Sequence, residues 1–254
     1  MTPRCLLGRP AAAVVLVVVA TAAPASADWT IGAFLGGSHT RPASLTLNQP
    51  AESTNVSAAA VRYRSESLEM PVYYGYRAAF YPRSSWFGVE GELIHMKVVA
   101  DTARTTRISG RLDGVPVSQN VALSSIIEEF SITHGVNLLL VNAVARRRVI
   151  VAHDGEPRLA LMARLGAGGS IPHAESTIRG RRVEGYQWNA FSVQAAAGLE
   201  VRLVRRIALV GEYKLTHSTH DVEVADGRGR TSLTTHHAAV GVAFRIGSGS
   251  QATP

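Results

Sequence analysis

Nine histidines are the residues in this 254-residue chain most able to do chemistry, and their spacing is patterned. Imidazole titrates near neutrality, and each neutral ring offers one donor and one lone pair. His39, His95, His134, His173, His217, His220, His236 and His237 fall at or just past the ends of alternating apolar segments; His153 falls in a short turn. Phase narrows the set. His95 continues the series Phe87, Val89, Gly91, Leu93, and His173 continues Leu161 through Gly169 and Ile171. His217 extends Leu209, Gly211, Tyr213, Leu215; His236 leads into Ala238, Val240, Val242, Phe244; His39 follows Ile31, Ala33, Leu35, Gly37. If Tyr213 faces Val240 across the last hairpin, His217 faces His236, and closure of a sheet would add His39. A second set is His95, His134 and His173, with Glu175 as a candidate carboxylate ligand. Three readings are open: a belt of amphipathic imidazoles, a metal site of converging neutral rings, and acid–base chemistry on a polar headgroup.

Arginines lie beside these positions. Arg179, Arg181 and Arg182 form one group, and Arg228 and Arg230 another. Guanidinium holds phosphate through paired hydrogen bonds, which makes these five candidate substrate-binding residues; a solvated loop charge is the ordinary alternative. The net charge of +7 suits an anionic partner.

The elements that must position these groups are strands. Residues 1–27 read as a secretory signal, with Arg4 and Arg9 ahead of an apolar run and Ala25-Ser26-Ala27 as the small cleavage residues. The single cysteine, Cys5, lies inside it, so no disulfide is expected in the remainder. Later segments alternate over about ten residues, and none is long and apolar enough for a membrane helix. Candidate strands run over 28–39, 70–81, 86–98, 130–146, 157–173, 186–203, 207–220 and 232–246. Short links (82–85, 147–156, 204–206) alternate with mostly longer, polar ones (40–69, 99–129, 174–185, 221–231). That sorting is expected of an eight-stranded antiparallel transmembrane up-and-down β-barrel over residues 28–246, followed by a short periplasmic tail at 247–254. A soluble sandwich has no reason to sort its links. The phase opposite the apolar one carries Arg77, Glu90, Glu92, Arg164, Glu200, Arg202, Glu212, Lys214 and Arg245. Such charges would fill a narrow barrel as ion pairs rather than line a pore. Trp29, Tyr81, Trp86, Phe87 and Phe244 would form an inner aromatic girdle, Tyr186 and Trp188 an outer one.

Several segments resemble the outer-membrane lipid A oxidase family. They are Phe87-Gly88-Val89-Glu90-Gly91-Glu92 with Ile94-His95-Met96-Lys97, then His134-Gly135-Val136-Asn137, Gly166 to His173, and Gly211-Glu212-Tyr213-Lys214-Leu215-Thr216. The resemblance implies oxidation of the proximal glucosamine of lipid A to 2-aminogluconate, with oxygen as co-substrate and a divalent metal as cofactor. Lipid A, the phosphorylated glycolipid of the outer leaflet, would be the partner. The site residues rest on the histidine pattern, with His217, His236 and His39 as catalytic candidates and His95, His134, His173 and Glu175 as metal candidates. The alternative is a non-catalytic structural or adhesive barrel. Lipid A deacylase barrels are similar in size, but their H-x-S pattern differs from His217-Ser218-Thr219-His220. No nucleic-acid motif, phosphate-cradling glycine loop or dinucleotide fingerprint is present.

Overall fold

The computed structural model describes residues 28–246 except 83–84, 133–134, 156 and 189. The signal at 1–27, the tail at 247–254 and His134 therefore lie outside the described residues.

Strict alternation gives each long strand one apolar and one polar face, and the register turns those faces into an inside and an outside. Strand β1 (Asp28–Thr40) pairs with β5 (Tyr74–Tyr81), and the order continues through β6 (Phe87–His95), β11 (Leu138–Val151), β12 (Pro157–Ser170), β15 (Ala190–Val204), β16 (Ile207–Val224) and β17 (Gly227–Ile246). β17 pairs back onto β1, from Trp29 opposite Ile246 to Thr40 opposite Thr235, so this order returns upon itself. All these pairings are antiparallel.

The exposed phase is apolar: Leu35, Val89, Val141, Leu165, Leu199 and Val240 are all exposed. A monomeric soluble protein rarely leaves so much contiguous apolar surface uncovered. The buried phase holds the expected ion pairs. Arg77, Arg164 and Lys214 meet Glu90, Glu92 and Glu212, three cations against three anions. Arg164 lies 2.9 Å from Glu90 and 2.8 Å from Glu212, and Lys214 lies 2.8 Å from Glu212. Arg77 also pairs with Glu212, and Lys214 with Glu92. Asn142 and Gln194 donate to the remaining Glu oxygens, at 3.0 Å and 2.7 Å to Glu92. The Phe34 ring sits between Arg77 (4.4 Å) and Lys214 (4.5 Å), with cation–π contact to both. Its space exists because its neighbours in register are Gly75 and Gly241, where a side chain would collide with Phe34.

The sequence suggests eight strands; the described residues form seventeen in two sheets. The long polar links fold. β2 (Ala43–Gln49), β3 (Thr54–Val61), β8 (Thr105–Leu112) and β9 (Val115–Ala122) extend the main sheet beyond β17, to twelve strands. β4 (Tyr63–Arg64), β7 (Val98–Ala100), β10 (Glu129–Ile132), β13 (His173–Ile178) and β14 (Arg181–Tyr186) make a second sheet of five. Leu45, Leu47, Val56, Ile108, Ile132 and Leu233 form an apolar core between them that runs without a break onto Phe34, Ile94 and Leu138 inside the ring. The outer end is thus a packed cap, not a set of loops.

Boundaries differ accordingly: 86–98 ends at His95 with Val98 in β7, and 186–203 opens at Ala190 with Tyr186 in β14. The segment 130–146 is two strands in different sheets, and 157–173 divides at Pro172, after which β13 joins the cap. Proline lacks the N–H that a continuing ladder needs. The link 221–231 is strand throughout, closed by the two-residue turn Ala225-Asp226, with Asp226 at φ 52°. Of the inner girdle, Tyr81 is instead buried, beneath the Arg146 guanidinium, while Trp86 and Phe87 are exposed.

Removing one partner of a buried network leaves the others charged without compensation. Glu212→Ala is expected to destabilise the folded barrel by about 3–5 kcal/mol, and Glu212→Gln by less. Thermal unfolding in detergent, followed by the gel shift between folded and heated protein, measures both.

Candidate functional site at the outer rim

The last hairpin's tight turn fixes its register, because a two-residue connection admits one alignment. Val224 faces Gly227, and counting down the ladder puts Tyr213 opposite Ala238 rather than Val240. His217 therefore faces Thr234, not His236, and its Nδ1 lies 2.9 Å from the Thr234 hydroxyl. His236 instead faces Leu215 on one side and His39 on the other. Ring closure thus brings His39 and His236 together as a direct cross-strand pair, and His217 stands one diagonal step away. Directly opposed side chains are about 5 Å apart at Cβ and diagonal ones about 7–8 Å. The Tyr213 hydroxyl is hydrogen-bonded to His236 Nδ1, which orients that ring. All three imidazoles occupy the outward phase of their strands; His39 and His217 are exposed, and His236 is half-buried.

Above them the outward faces of β16 and β17 curve into the β2 extension and leave a groove of about 1070 Å³. Ser44, Thr46, Thr219 and Ser232 bring hydroxyls to it, Phe191 an aromatic face, and Asp221 with Arg230 an ion pair at 2.8 Å. Hydroxyls, one aromatic ring and one charged pair are the complement of a saccharide surface. Burial pulls the Asp221 carboxyl upward, but hydrogen bonds from Arg228 and Arg230 outweigh it and hold the group below the usual carboxylate range. His220 points the other way, into the cap. Its Nε2 lies 2.8 Å from the Ser218 hydroxyl, and burial pushes the ring down to about 4.

The second histidine set is distributed differently. His95 follows the outward phase of β6 yet is buried, because the cap covers it. Its ring stacks on Tyr74 at 4.7 Å and 11°, and its Nδ1 lies 2.9 Å from Asn137 Oδ1. Asn137 Nδ2 donates to the Gly135 and Ile171 carbonyls, at 3.2 Å and 3.1 Å, so its oxygen must be the acceptor for a His95 Nδ1–H. A side chain at Gly135, whose φ is +108°, would collide with the His95 ring. His173 does not continue β12; it opens β13, its N–H donates to the Gly135 carbonyl at 3.2 Å, and its Nδ1 is 3.7 Å from Glu175. Glu175 also accepts from Arg182 at 2.9 Å. Among the described residues no three histidine, cysteine or acidic side chains converge to hold a metal ion. The donor set of the described residues does not fit a metal centre, and His134 lies outside them.

The five candidate phosphate-binding arginines are engaged by carboxylates of the cap. Arg179, itself at φ 53° in a hairpin turn, reaches Glu52 at 3.1 Å and also Asp113 in the neighbouring β8–β9 turn. Arg181 pairs with Asp226, Arg182 with Glu175 and Glu184, and Arg228 and Arg230 with Asp221. Their geometry clips hairpin turns to one another. The partners that define these sites, Asn137, Tyr74, Gly135 and Tyr213, carry no signal of their own in the sequence. The runs His134-Gly135-Val136-Asn137 and Gly211 to Thr216 include three of them without giving them roles.

No family model and no curated protein matches the sequence. Among solved structures the chain is similar to Neisserial surface protein A at 8% identity, covering 87% of this chain and 97% of that one, with a TM-score of 0.39. Ail, the attachment invasion locus protein of Yersinia pestis, is similar at 13% identity over 87% of this chain and 99% of that one, with a TM-score of 0.38. The outer membrane protein AlkL is similar at 10% identity over the whole of both chains, with a TM-score of 0.40. Likenesses this distant decide neither fold nor activity; the closed order of strands stands on the register of this chain alone.

His220 gives the outer end a pH dependence. The folded protein keeps the ring neutral to about 4, whereas the unfolded chain takes up a proton near 6.5. Between those values the unfolded state binds more protons, so the contribution to stability is complete above pH 6.5 and falls as pH drops toward 4. The unfolding midpoint is expected to fall over that range, and to fall less in His220→Gln. Equal slopes for the two proteins in thermal melts would assign the effect to other groups.

Proposed function

We propose that this chain is an outer-membrane β-barrel of the Gram-negative type, and that its outer rim binds and modifies the headgroup of lipid A. In this reading the eight strands of the closed order cross the bilayer, with their exposed apolar phase toward lipid and the ion-paired phase filling the tube. Membrane-spanning backbone must satisfy its hydrogen bonds internally, and a sheet without edges does so. The five-plus-four extra strands stand outside the membrane as the cap.

One observation carries the lipid A assignment. His39 and His236 oppose each other across the β1–β17 closure, on the outward face, directly below a groove lined with hydroxyls, Phe191 and the Asp221–Arg230 pair. At the outer end of a membrane barrel, that height belongs to saccharide and phosphate rather than to acyl chains. His236, oriented by Tyr213, and His39 are the groups able to take or return a proton there, with His217 beside them. The finer reading is the one that the family resemblance implies: two-electron oxidation of a proximal glucosamine whose anomeric hydroxyl is free, giving a lactone that water opens to 2-aminogluconate while oxygen is reduced to hydrogen peroxide. The engagement of Arg179, Arg181 and Arg182 by cap carboxylates favours a second reading, a non-catalytic barrel whose rigid cap is an attachment surface.

Expression in a host whose lipid A lacks the anomeric phosphate, with mass spectra of the lipid from aerated and oxygen-free cultures, separates the two. The expected result is an oxygen-dependent mass increase of one oxygen atom, reduced at least tenfold in a His39→Ala, His236→Ala double variant that still folds. Unchanged lipid A beside a folded, membrane-inserted barrel removes the oxidase reading and leaves the structural one.

A further inference from the structure

The inner end of the ring has a feature that the outer-rim reading does not use. Strand β11 outruns its neighbour. Its pairing with β6 ends at Ala145 opposite Phe87, whereas its pairing with β12 continues to Val151 opposite Pro157. The Arg146 N–H still donates to the Trp86 carbonyl at 2.6 Å, and beyond it one edge of β11 faces a notch beside Ser85 and Trp86. The notch is a cavity of about 760 Å³, with Tyr81, Ser85 and Trp86 on one side and Arg146, Arg147 and Arg148 on the other.

The charge in this notch is unbalanced. Among the described residues of its lining Asp28 is the one carboxylate, against three consecutive arginines. Arg146 is spoken for in part: it donates to Glu200 at 2.7 Å, while its Nε is buried without a hydrogen-bond partner. Arg147 and Arg148 are exposed and form no ion pair with any described residue. The contrast with the outer end is complete for the residues concerned, since every candidate arginine there meets a carboxylate.

Arg147 is the informative one. It continues the outward series Leu139, Val141, Ala143, Ala145, and the register sets it level with Leu161 and Leu199, both exposed and apolar. Beyond it the ladder bulges at Val149, and Ile150, half exposed, pairs with Leu159. A guanidinium embedded in the lipid-facing row, with apolar side chains on both sides along the strand, is costly unless an anion meets it. A phosphate joined to acyl chains supplies both halves of that environment. Trp86, 71% exposed beside the notch, is the side chain that favours the headgroup boundary.

We propose that the notch binds an anionic phospholipid of the inner leaflet, its phosphate held by Arg147 and Arg148 and its acyl chains lying along Leu161, Ala163 and Leu165. The proposal rests on the membrane-barrel reading, but not on any activity at the outer rim. The alkyl-plus-phosphate match is what favours a lipid over an acidic cell-wall peptide, which would need the arginines without the greasy row.

The test is native mass spectrometry of the refolded barrel, released from detergent micelles carrying equal amounts of phosphatidylglycerol and phosphatidylethanolamine. Folding is scored beforehand by the heat-dependent gel shift, so a failed membrane reading shows as no folded barrel and not as lost preference. The wild-type protein is expected to retain phosphatidylglycerol selectively. Arg147→Gln with Arg148→Gln should lower that selectivity about tenfold, since each basic group near the surface contributes about half of that on a logarithmic scale. Arg147→Leu, which suits a lipid-facing row and protects folding, should lower it in the same direction. Arg104→Gln with Arg107→Gln, in the cap, should leave it unchanged. Equal retention of the two lipids by the folded wild-type barrel overturns the proposal. So does binding of a soluble cell-wall peptide that the same substitutions abolish while lipid retention is untouched.

Discussion

Closure of the sheet is the constraint on which everything else depends. Once β17 pairs with β1, each alternating strand must commit one phase to the interior and the other to the exterior, with no edge left to relax the choice. An exterior of Leu, Val and Ala then forces the polar phase inward, where ionised groups survive only if they are matched. Three cations and three anions around Phe34 meet that demand, and Asn142 and Gln194 fill the carboxylate positions that the cations leave open. The glycines facing Phe34 are the steric counterpart of the same requirement, since an aromatic ring fits a narrow tube only where its neighbours lack side chains.

The interior is layered along the ring axis. Charged residues occupy its middle, and the same inward phase of β16 and β17 becomes Val222, Val224 and Leu233 farther out. Those apolar residues are why the outer segments fold. Strands that run past the charged layer with a greasy inner face need a cover, and β2, β3, β8 and the second sheet provide it. The cap in turn buries His95, His220 and the ends of the outer hairpins, so the outer rim is a rigid rather than a mobile surface. Asn137 and Gly135 show how far that rigidity extends, to the tautomer and the tilt of a single imidazole.

The two ends of the molecule treat arginine differently, and the reason is local sequence. In the cap, carboxylates such as Glu52, Asp113, Glu175 and Asp221 stand on neighbouring turns, so guanidinium groups become fasteners. At the inner end, three arginines follow one another on an overhanging strand with one acid within their cavity. Arg146, Arg202 and Arg245 are fasteners at the inner end as well, with Glu200 and Asp154, whereas Arg147 and Arg148 meet no described carboxylate. A count of basic residues along the chain cannot separate these uses.

Period-two alternation, by itself, determined the all-β class, the inward ion pairs and at least eight residues of every long strand, because all follow from which face each side chain takes. It also placed the histidines near one end. The cap escaped notice although Ala43-Ser44-Leu45-Thr46-Leu47 alternates as strictly as the long strands and Asp113-Gly114 is a strong hairpin turn; surrounding polar residues made these segments read as loops. Register was decided only in three dimensions. The turn at Ala225-Asp226 shifted His217 away from His236, and closure supplied His39 as that ring's true neighbour. Sequence spacing fixes which face a residue occupies, but pairing between distant strands fixes what it meets, and that depends on turns and closure that no single segment encodes.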